Sequence, residues 1–520
     1  MNGAEPWEAL LLSPAQRDAF LERMRRQVSP EDYRHIEGLC QLALTIGQDN
    51  LSKLRHLLFG RKTETTERVC AVPPPEPAPK PPPKGHGRCA ARQYTGARWH
   101  QVSHPSLRPG QRCPQCQKGA LRLQRRRGVV LRITGSPPIS ATGWSLEKLR
   151  CDTCGVVFTA PAPPAAGTAK YDDSVAVTVA LLRYGSGMPH YRLARLQQSL
   201  GVPLPESTQW DLLVPLFQLA QPIFEELVRQ TAQAPLLHND DTSMRILDLR
   251  RPGSATAAQI DPKRTGTFTT AIVGSVGEYT VALFLTGWHH AGENLAKVLQ
   301  QRAAELPPPI QMCDALSRNT CGEFDSILAN CLGHGRREFV PLATDFPQAV
   351  RFVLEQLREV YRVDAQSKQL GLTAQQRLSH HQTLSQPVMD NLHRWMNQQL
   401  EQKQVEPNSG LGRALNYMLN HWEPLTLFLR QAGAPLDNNI CERALKMAIL
   451  HRKNSLSYKT LNGAQTGDLF MSLIHTCRLN AINPFDYLLA IATHPEAVKL
   501  SPQAWMPWNY PTATTMPDSS

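Results

Sequence analysis

The chain has 520 residues, 56 Lys and Arg against 44 Asp and Glu, and a net charge of +12, too long for one ordinary core, so roughly two to four domains are expected. Its 41% hydrophobic content contains no run long enough to span a bilayer: the longest, Val175 to Leu182, is broken by Thr178 and ends at Arg183. Glu5 and Glu8 precede Leu10 to Leu12 where a secretory signal would carry basic residues, so export is not expected.

Ser29, Pro30, Glu31 and Asp32 read as a helix start, with Ser as cap, Pro in the first position and acids in the first turn. Ile36, Leu39, Ala43, Ile46, Leu54 and Leu57 then recur at helical spacing up to Gly60. One apolar stripe must find a partner, either a second copy in a coiled coil or the rest of its own chain. Pro73 to Pro83 is dominated by proline and reads as an extended spacer.

From Lys84 to Ala160 there are 14 Lys and Arg but only two acids, Glu147 and Asp152, and the rest of the chain is charge-balanced. A concentrated basic block is the footprint of a polyanion, most often nucleic acid, with a solvated basic face as the plainer alternative. Within it Cys113 and Cys116 form one C-x-x-C pair and Cys151 and Cys154 another. Twelve Cys are too sparse for a disulfide scaffold, whereas two such knuckles supply the four thiolates of a structural zinc site. His86, Cys89, His100 and His104 are alternative ligands, and Arg125, Arg126 and Arg127 lie in the loop that zinc would stiffen.

Pro161 to Pro164 marks a second boundary. Helical patterns follow around Val175 to Tyr184, around Tyr191 to Leu200 and from about Ser207, the last two separated by Gly201-Val202-Pro203 in the manner of a helix-turn-helix; three packed helices without a DNA role are the commoner arrangement. Leu236 to Asp240 reads as a short buried strand, Thr267 to Leu285 as two strands joined near Gly277, and Pro309 to Asp314 as a further strand ending in an acid. From about Phe346 to Leu427 the pattern is helical, and another helix begins near Asp437, read as its N-cap. Strands, a helical insertion and a closing helix describe an α/β core with an all-helical subdomain set into it. Asp240, Asp314 and Glu442 could hold two divalent cations, but composition and spacing alone do not separate them from the other acids.

Several blocks in order resemble the DDE transposases of the insertion-sequence family numbered sixty-six. Leu58 to Glu64 is similar to the motif closing that family's N-terminal helix, and the two knuckles to its zinc domain. His238-Asn239-Asp240-Asp241-Thr242 resembles its first catalytic block, and Cys331 to Phe339 its Cys-Trp-Ala-His-x-Arg-Arg block. Asp437-Asn438-Asn439 through Glu442-Arg443-Ala444, with His451 to Asn454, resembles its last catalytic helix; Leu479-Asn480, Asn483-Pro484 and Tyr487-Leu488 resemble its C-terminal signature. The resemblance implies a ribonuclease-H-like core, a catalytic and metal-binding triad of Asp240, Asp314 and Glu442 with Mg²⁺ or Mn²⁺, and structural Zn²⁺ on Cys113, Cys116, Cys151 and Cys154. Asp241 competes with Asp240 for the first place. Three departures stand out: Leu316-Ser317-Arg318-Asn319 follows Asp314-Ala315 where the family has a tyrosine and then a Gly-Tyr pair, Leu332 replaces the Trp, and Gly333 replaces the Ala.

The implied organisation is an N-terminal helical or coiled-coil region over 1–70, a proline-rich linker over 71–84 and a basic zinc-binding domain over 85–160. A helix-turn-helix-like domain over 168–231 precedes a ribonuclease-H-like core over 232–345 and 431–495, split by a helical insertion over 346–430 and followed by a tail over 496–520. The implied partners are transposon terminal inverted repeats and target DNA, further copies of the chain in a synaptic complex and accessory proteins of the same element, in a bacterial cytoplasm at the nucleoid and away from any membrane. Arg125, Arg126, Arg127, Arg336, Arg337, Arg443 and Lys446 are the expected DNA contacts, with Glu442 and Lys446 four apart on one helical face. A decayed, catalytically inactive DNA-binding derivative is the alternative. A glycoside hydrolase with paired carboxylates ranks far below, having no use for knuckles or a basic block.

Overall fold

The computed structural model describes residues 22, 66–69, 105–122, 137–150, 157–250, 264, 266–322 and 324–514. The helix expected from Ser29, the Leu58 to Glu64 block, the proline run, Arg125 to Arg127, Cys151 and Cys154 lie outside them. The chain divides into two compact units, residues 1–73 and 74–520. In the first, the described segment Thr66–Val69 is a single helical turn.

In the second unit, β1 (Lys148–Arg150) and β2 (Val157–Thr159) form a short antiparallel pair. The main sheet has five strands in the order β5-β4-β3-β6-β7, made of β3 (Leu236–Ser243), β4 (Phe268–Val276), β5 (Tyr279–Gly287), β6 (Ile310–Cys313) and β7 (Ile327–Asn330). The first three are antiparallel neighbours, whereas β6 runs parallel to β3 and β7 parallel to β6. Gly277, at φ +60, opens the two-residue turn between β4 and β5, a backbone conformation that costs glycine nothing. This mixed α/β sheet is consistent with the expected ribonuclease-H-like core. The strand β7 was not anticipated: four residues without alternation give no period to read.

Ahead of the sheet, α1 (Asp173–Ala180) starts on Asp172, whose carboxylate accepts the Ser174 N–H at 3.0 Å. It is followed by α2 (His190–Ser199) and the long α3 (Glu206–Ala232). The helix-turn-helix-like segment does not stand apart as a separate core. Leu193, Leu213, Leu216, Ile223 and Leu227 share one buried cluster with Val281, Leu283 and Phe284 of the sheet, because the apolar side of α3 needs that cover. Beyond the sheet come α4 (Ala291–Leu299), α5 (Leu332–Phe339) and the expected helical stretch, α6 (Pro347–Gln369), α7 (Ala374–Leu384), α8 (Gln386–Glu401) and α9 (Gly410–Asn420). The buried Asp364 ties α6 to α7 through Arg377 at 2.9 Å and is also paired with Lys368 at 2.6 Å. The chain then returns to the sheet as α10 (Asn439–Ser455), α11 (Leu461–Leu479) and α12 (Pro484–Thr493). No helix among the described residues is long and apolar enough to cross a membrane.

The open edge of β5 is closed by side chains of α11. The backbone N–H groups of Thr280, Ala282, Phe284 and Thr286 donate to Asn480, Thr476, Ser472 and Asp468, at 3.0, 3.1, 2.9 and 2.6 Å. Those four side chains recur every four residues along the helix, so one polar stripe satisfies the alternate N–H groups that an edge strand points outward. The C-terminal signature is structural in the same sense. Asn480 also donates to Thr280 O, Asn483 caps α12 by accepting the Phe485 N–H at 3.0 Å, and the Tyr487 hydroxyl donates to Trp505 O at 2.8 Å.

Three histidines, His451 buried and His190 and His475 half-buried, make this packing sensitive to acid. Burial, first among the causes, pushes His190 and His475 down to about 4 and His451 to about 3, so each folds as a neutral ring. Below the ordinary value near 6.5 the unfolded chain binds protons that the folded chain refuses, so the stability they contribute is present above pH 6.5 and drains away as pH falls toward 4. Each is expected to cost roughly 2 kcal/mol by pH 5. The thermal midpoint should drop steeply from pH 7 to pH 5, and less steeply in His475→Gln; parallel curves would contradict this.

Candidate active site and cysteine knuckle

The parallel register pairs His238 with Met312, and two residues further on the same offset sets Asp240, in the middle of β3, beside Asp314, just past the end of β6. Glu442 enters from the first turn of α10. Burial pushes the Asp240 carboxyl up to about 7, opposed by the Asp241 N–H that it accepts at 2.8 Å, and the charges of Asp314, Asp241 and Glu442 push it further up. The three acids therefore share one electrostatic neighbourhood, as carboxylates gathered to bind a cation do.

Asp241 points elsewhere, because successive strand residues face opposite sides of the sheet. Its buried side chain meets His290 Nδ1 at 2.9 Å, the Ala291 N–H at the start of α4 at 3.4 Å and Arg318 at 3.7 Å. These cationic and donor groups occupy it, which leaves Asp240 as the acid facing Asp314.

The start of α10 is fixed by Asn438, a residue to which local sequence pattern assigns no role of its own. Asp437 was expected to cap this helix, but Asn438 sits in the cap position while Asp437 accepts the Asn439 N–H at 3.1 Å. Asn438 is fully buried; its amide donates to Asn239 O at 3.0 Å, so its oxygen accepts from His238 Nδ1, also at 3.0 Å, and its backbone N–H donates to Cys331 Sγ at 3.3 Å. Burial pushes His238 down to about 4, which keeps the ring neutral in that bond. Asn438 thus locks the helix carrying Glu442 onto the strand carrying Asp240. The unfamiliar segment after Asp314 has a comparable role: buried Asn319 donates to Asp314 at 2.6 Å, while its carbonyl accepts from Asn239 and Gln311 at 2.7 Å each. Gly292 of α4 lies so close that an added Cβ would sit 2.1 Å from Thr320 O, so only glycine lets that segment close down.

The carboxylates do not converge to chelating distance, and each has another partner. Arg337 grips Glu442 with two bonds, of 3.2 and 2.9 Å, and His334 lies 3.8 Å from it. Arg337, expected on DNA, is thereby engaged by an acid of the site. Among the described residues the one set of three potential ligand atoms within 4.8 Å of one another is Cys331, His334 and Glu442. That set suits a soft metal poorly: Cys331 is buried, which pushes its thiol up against the loss of a proton, and its sulfur already accepts the Asn438 N–H. Arg336 is half-buried on α5, while Arg443 and Lys446 are exposed on α10. Arg452, from the same helix, reaches back to Thr242 and Ser243 of β3, at 3.0 Å to the Thr242 hydroxyl.

Of the two cysteine knuckles, the first is described. Cys113 N donates to Gly119 O at 2.7 Å, Gln117 N donates to Cys113 O at 2.8 Å, and Gln117 takes φ +54, which turns the chain tightly around the pair. The N–H groups of Gly119 and Lys118, with Cys113, pull the exposed Cys116 thiol below its ordinary value. A tight turn that aims N–H groups at sulfur favours thiolate, the form that binds zinc.

A mixed sheet with two acids side by side on adjacent parallel strands, and a third acid on a helix docked against them, is an α/β arrangement consistent with a ribonuclease-H-like core. Residues 169–466 match the Transposase IS66 family, and the chain belongs to that family. Two relatives from Sinorhizobium fredii (strain NBRC 101917 / NGR234), uncharacterized proteins y4hP and y4jD, are each 27% identical to it, over 389 and 365 residues. The matches take in 69% and 66% of this chain and 67% and 66% of the relatives, so the chain spans about two thirds of their length. Family membership carries a transposase-like function in general and the DNA binding that goes with it.

Proposed function

We propose that the chain is a DDE-type transposase in which Asp240, Asp314 and Glu442 hold two Mg²⁺ or Mn²⁺ ions. The observation that carries this reading is the shared field at Asp240, raised by burial and by the charges of both other acids. Bound divalent cations would activate the attacking oxygen and stabilise the leaving one during phosphodiester hydrolysis at the element end and attack of the freed 3′-hydroxyl on target DNA. Asp240 lies within β3 and Asp314 directly follows β6, and Asn438 and Asn319 orient the site around them, so positioning is built in before substrate arrives. Arg337 and His334 hold Glu442 while DNA is absent; a phosphate is the natural competitor for that guanidinium. Arg336, Arg443 and Lys446 are assigned to DNA beside the acids. Cys113 and Cys116, with Cys151 and Cys154, are assigned to a structural zinc that would stiffen Arg125, Arg126 and Arg127 for gripping the ends, in a domain spanning 85–160.

A second reading, a DNA-binding derivative without catalysis, is favoured by the Arg337–Glu442 pair. Incubating the protein with end-containing DNA separates the two. Nicking in Mg²⁺ that stops in EDTA is the expected result; binding in both conditions with no cut strand would establish the second reading.

A further inference from the structure

A cavity of about 710 Å³ lies away from the acids, between the α1–α2 connection, the start of α3 and the α10–α11 turn. Its size is that of small-molecule sites, roughly 300–1,000 Å³. Tyr191, 40% exposed and with the Arg192 and Arg195 guanidinium groups each 5.7 Å from its ring centroid, and the half-buried Trp210 line it, and neither ring stacks on another aromatic among the described residues. Arg183, only 8% exposed, lines it as well. Its guanidinium donates to Ser455 Oγ at 2.6 Å and approaches His451 Nε2 at 3.4 Å, but Nε has no partner and no described carboxylate lies within ion-pair distance. His451, a neutral ring stacked between Tyr184 and Tyr458, offers the guanidinium a lone pair but no counter-charge. The exposed Lys459 adds a second cation, and the acid on the wall, Glu206, is exposed to solvent. The first turn of α11, 19 residues long and capped by Thr460, points its N-terminus to the same space.

A buried guanidinium without a counter-ion calls for an anion, and unstacked aromatic rings beside it call for a planar group. Both needs are met by one ligand class. We propose that this cavity binds an unstacked nucleotide, its base against Tyr191 and Trp210 and its phosphate at Arg183 and Lys459. Glu442 and Ser455 are thirteen residues apart on α10, so the cavity is roughly 20 Å along that helix from the acids. A strand leaving the acids can reach it within a few nucleotides, so the occupant is assigned to the DNA strand, an assignment that rests on the transposase reading.

The test uses the full chain and a short single-stranded oligonucleotide carrying one 2-aminopurine, whose fluorescence falls on stacking. Quenching is expected with the wild type, and binding about tenfold weaker in Tyr191→Ala and Trp210→Leu, with the Lys459→Ala variant losing part of the salt dependence. Thermal midpoints matching the wild type show that the variants fold. Deoxyadenosine monophosphate competing as well as the strand would move the assignment from DNA to the free nucleotide. Quenching unchanged in all three variants overturns the site. Nicking assays on the same samples keep the two readings apart: a wild type that quenches but never nicks refutes the catalytic reading and leaves the cavity standing.

Discussion

Asp314→Asn is expected to reduce Mg²⁺-dependent nicking of end-containing DNA by about a thousandfold or more, since cation stabilisation of the reacting phosphate is worth several kcal/mol and each tenfold in rate is about 1.4 kcal/mol. The substitution is chosen for what it preserves. Asp314 Oδ1 accepts from Asn319 at 2.6 Å and from the Leu316 N–H at 3.2 Å, and an asparagine oxygen accepts both, so the fold and DNA binding in EDTA should stay near wild type. Asp241→Asn is the matched control. Its carboxylate faces His290 and Arg318 instead of Asp314, so this variant should keep its cation-dependent cleavage while losing some stability. Undiminished nicking in Asp314→Asn would refute the assignment, and loss of nicking in Asp241→Asn alone would move the first ligand to Asp241.

Asp468→Ala is expected to cost the fold about 3 kcal/mol. The side chain accepts the Thr286 N–H at 2.6 Å and meets the Thr286 hydroxyl at 2.5 Å, on a helix buried against the sheet. Alanine leaves that N–H without its protein partner, at roughly 1–3 kcal/mol, and weakens the hydroxyl chain from Thr286 to Thr269, 2.8 Å away. Burial raises the Asp468 carboxyl well above its ordinary value, which favours its neutral form. Asp468→Asn, neutral and of the same shape, should therefore lose less than about 1 kcal/mol. Denaturant unfolding of the two variants measures the difference, and equal losses would show that the stripe along α11 does not seal the edge of β5.

Much of the sheet could be read from local pattern. The Leu236 to Asp240 run, the pair of strands about Gly277 and the strand ending at Asp314 all emerged as elements, since each carries an apolar run bounded by turn residues or acids. What local pattern missed are groups whose partners lie far along the chain. Asn438 looks like one more polar residue beside a helix start until His238 and Asn239, some 200 positions earlier, are seen to need it. The stripe of Asp468, Ser472, Thr476 and Asn480 has helical period, but its meaning depends on β5. Asp commonly caps a helix, which makes Asp437 the expected cap; the structure puts the buried Asn438 in that position and leaves Asp437 to accept the Asn439 N–H. Choosing Asp240, Asp314 and Glu442 from many acids came from resemblance to a family, and the register of β3 and β6 supplies a physical reason for the first two. Nothing local indicated that Arg337 would face Glu442, because the pair joins α5 to α10 across more than 100 residues.

The proposed chemistry turns on where a divalent cation sits. Anomalous diffraction from crystals grown with Mn²⁺ and a DNA end measures this directly. The predicted result is manganese density bounded by Asp240, Asp314 and Glu442, with Arg337 withdrawn from the Glu442 carboxylate. Density at Cys331, His334 and Glu442, with no ion at Asp240 and Asp314, would contradict it.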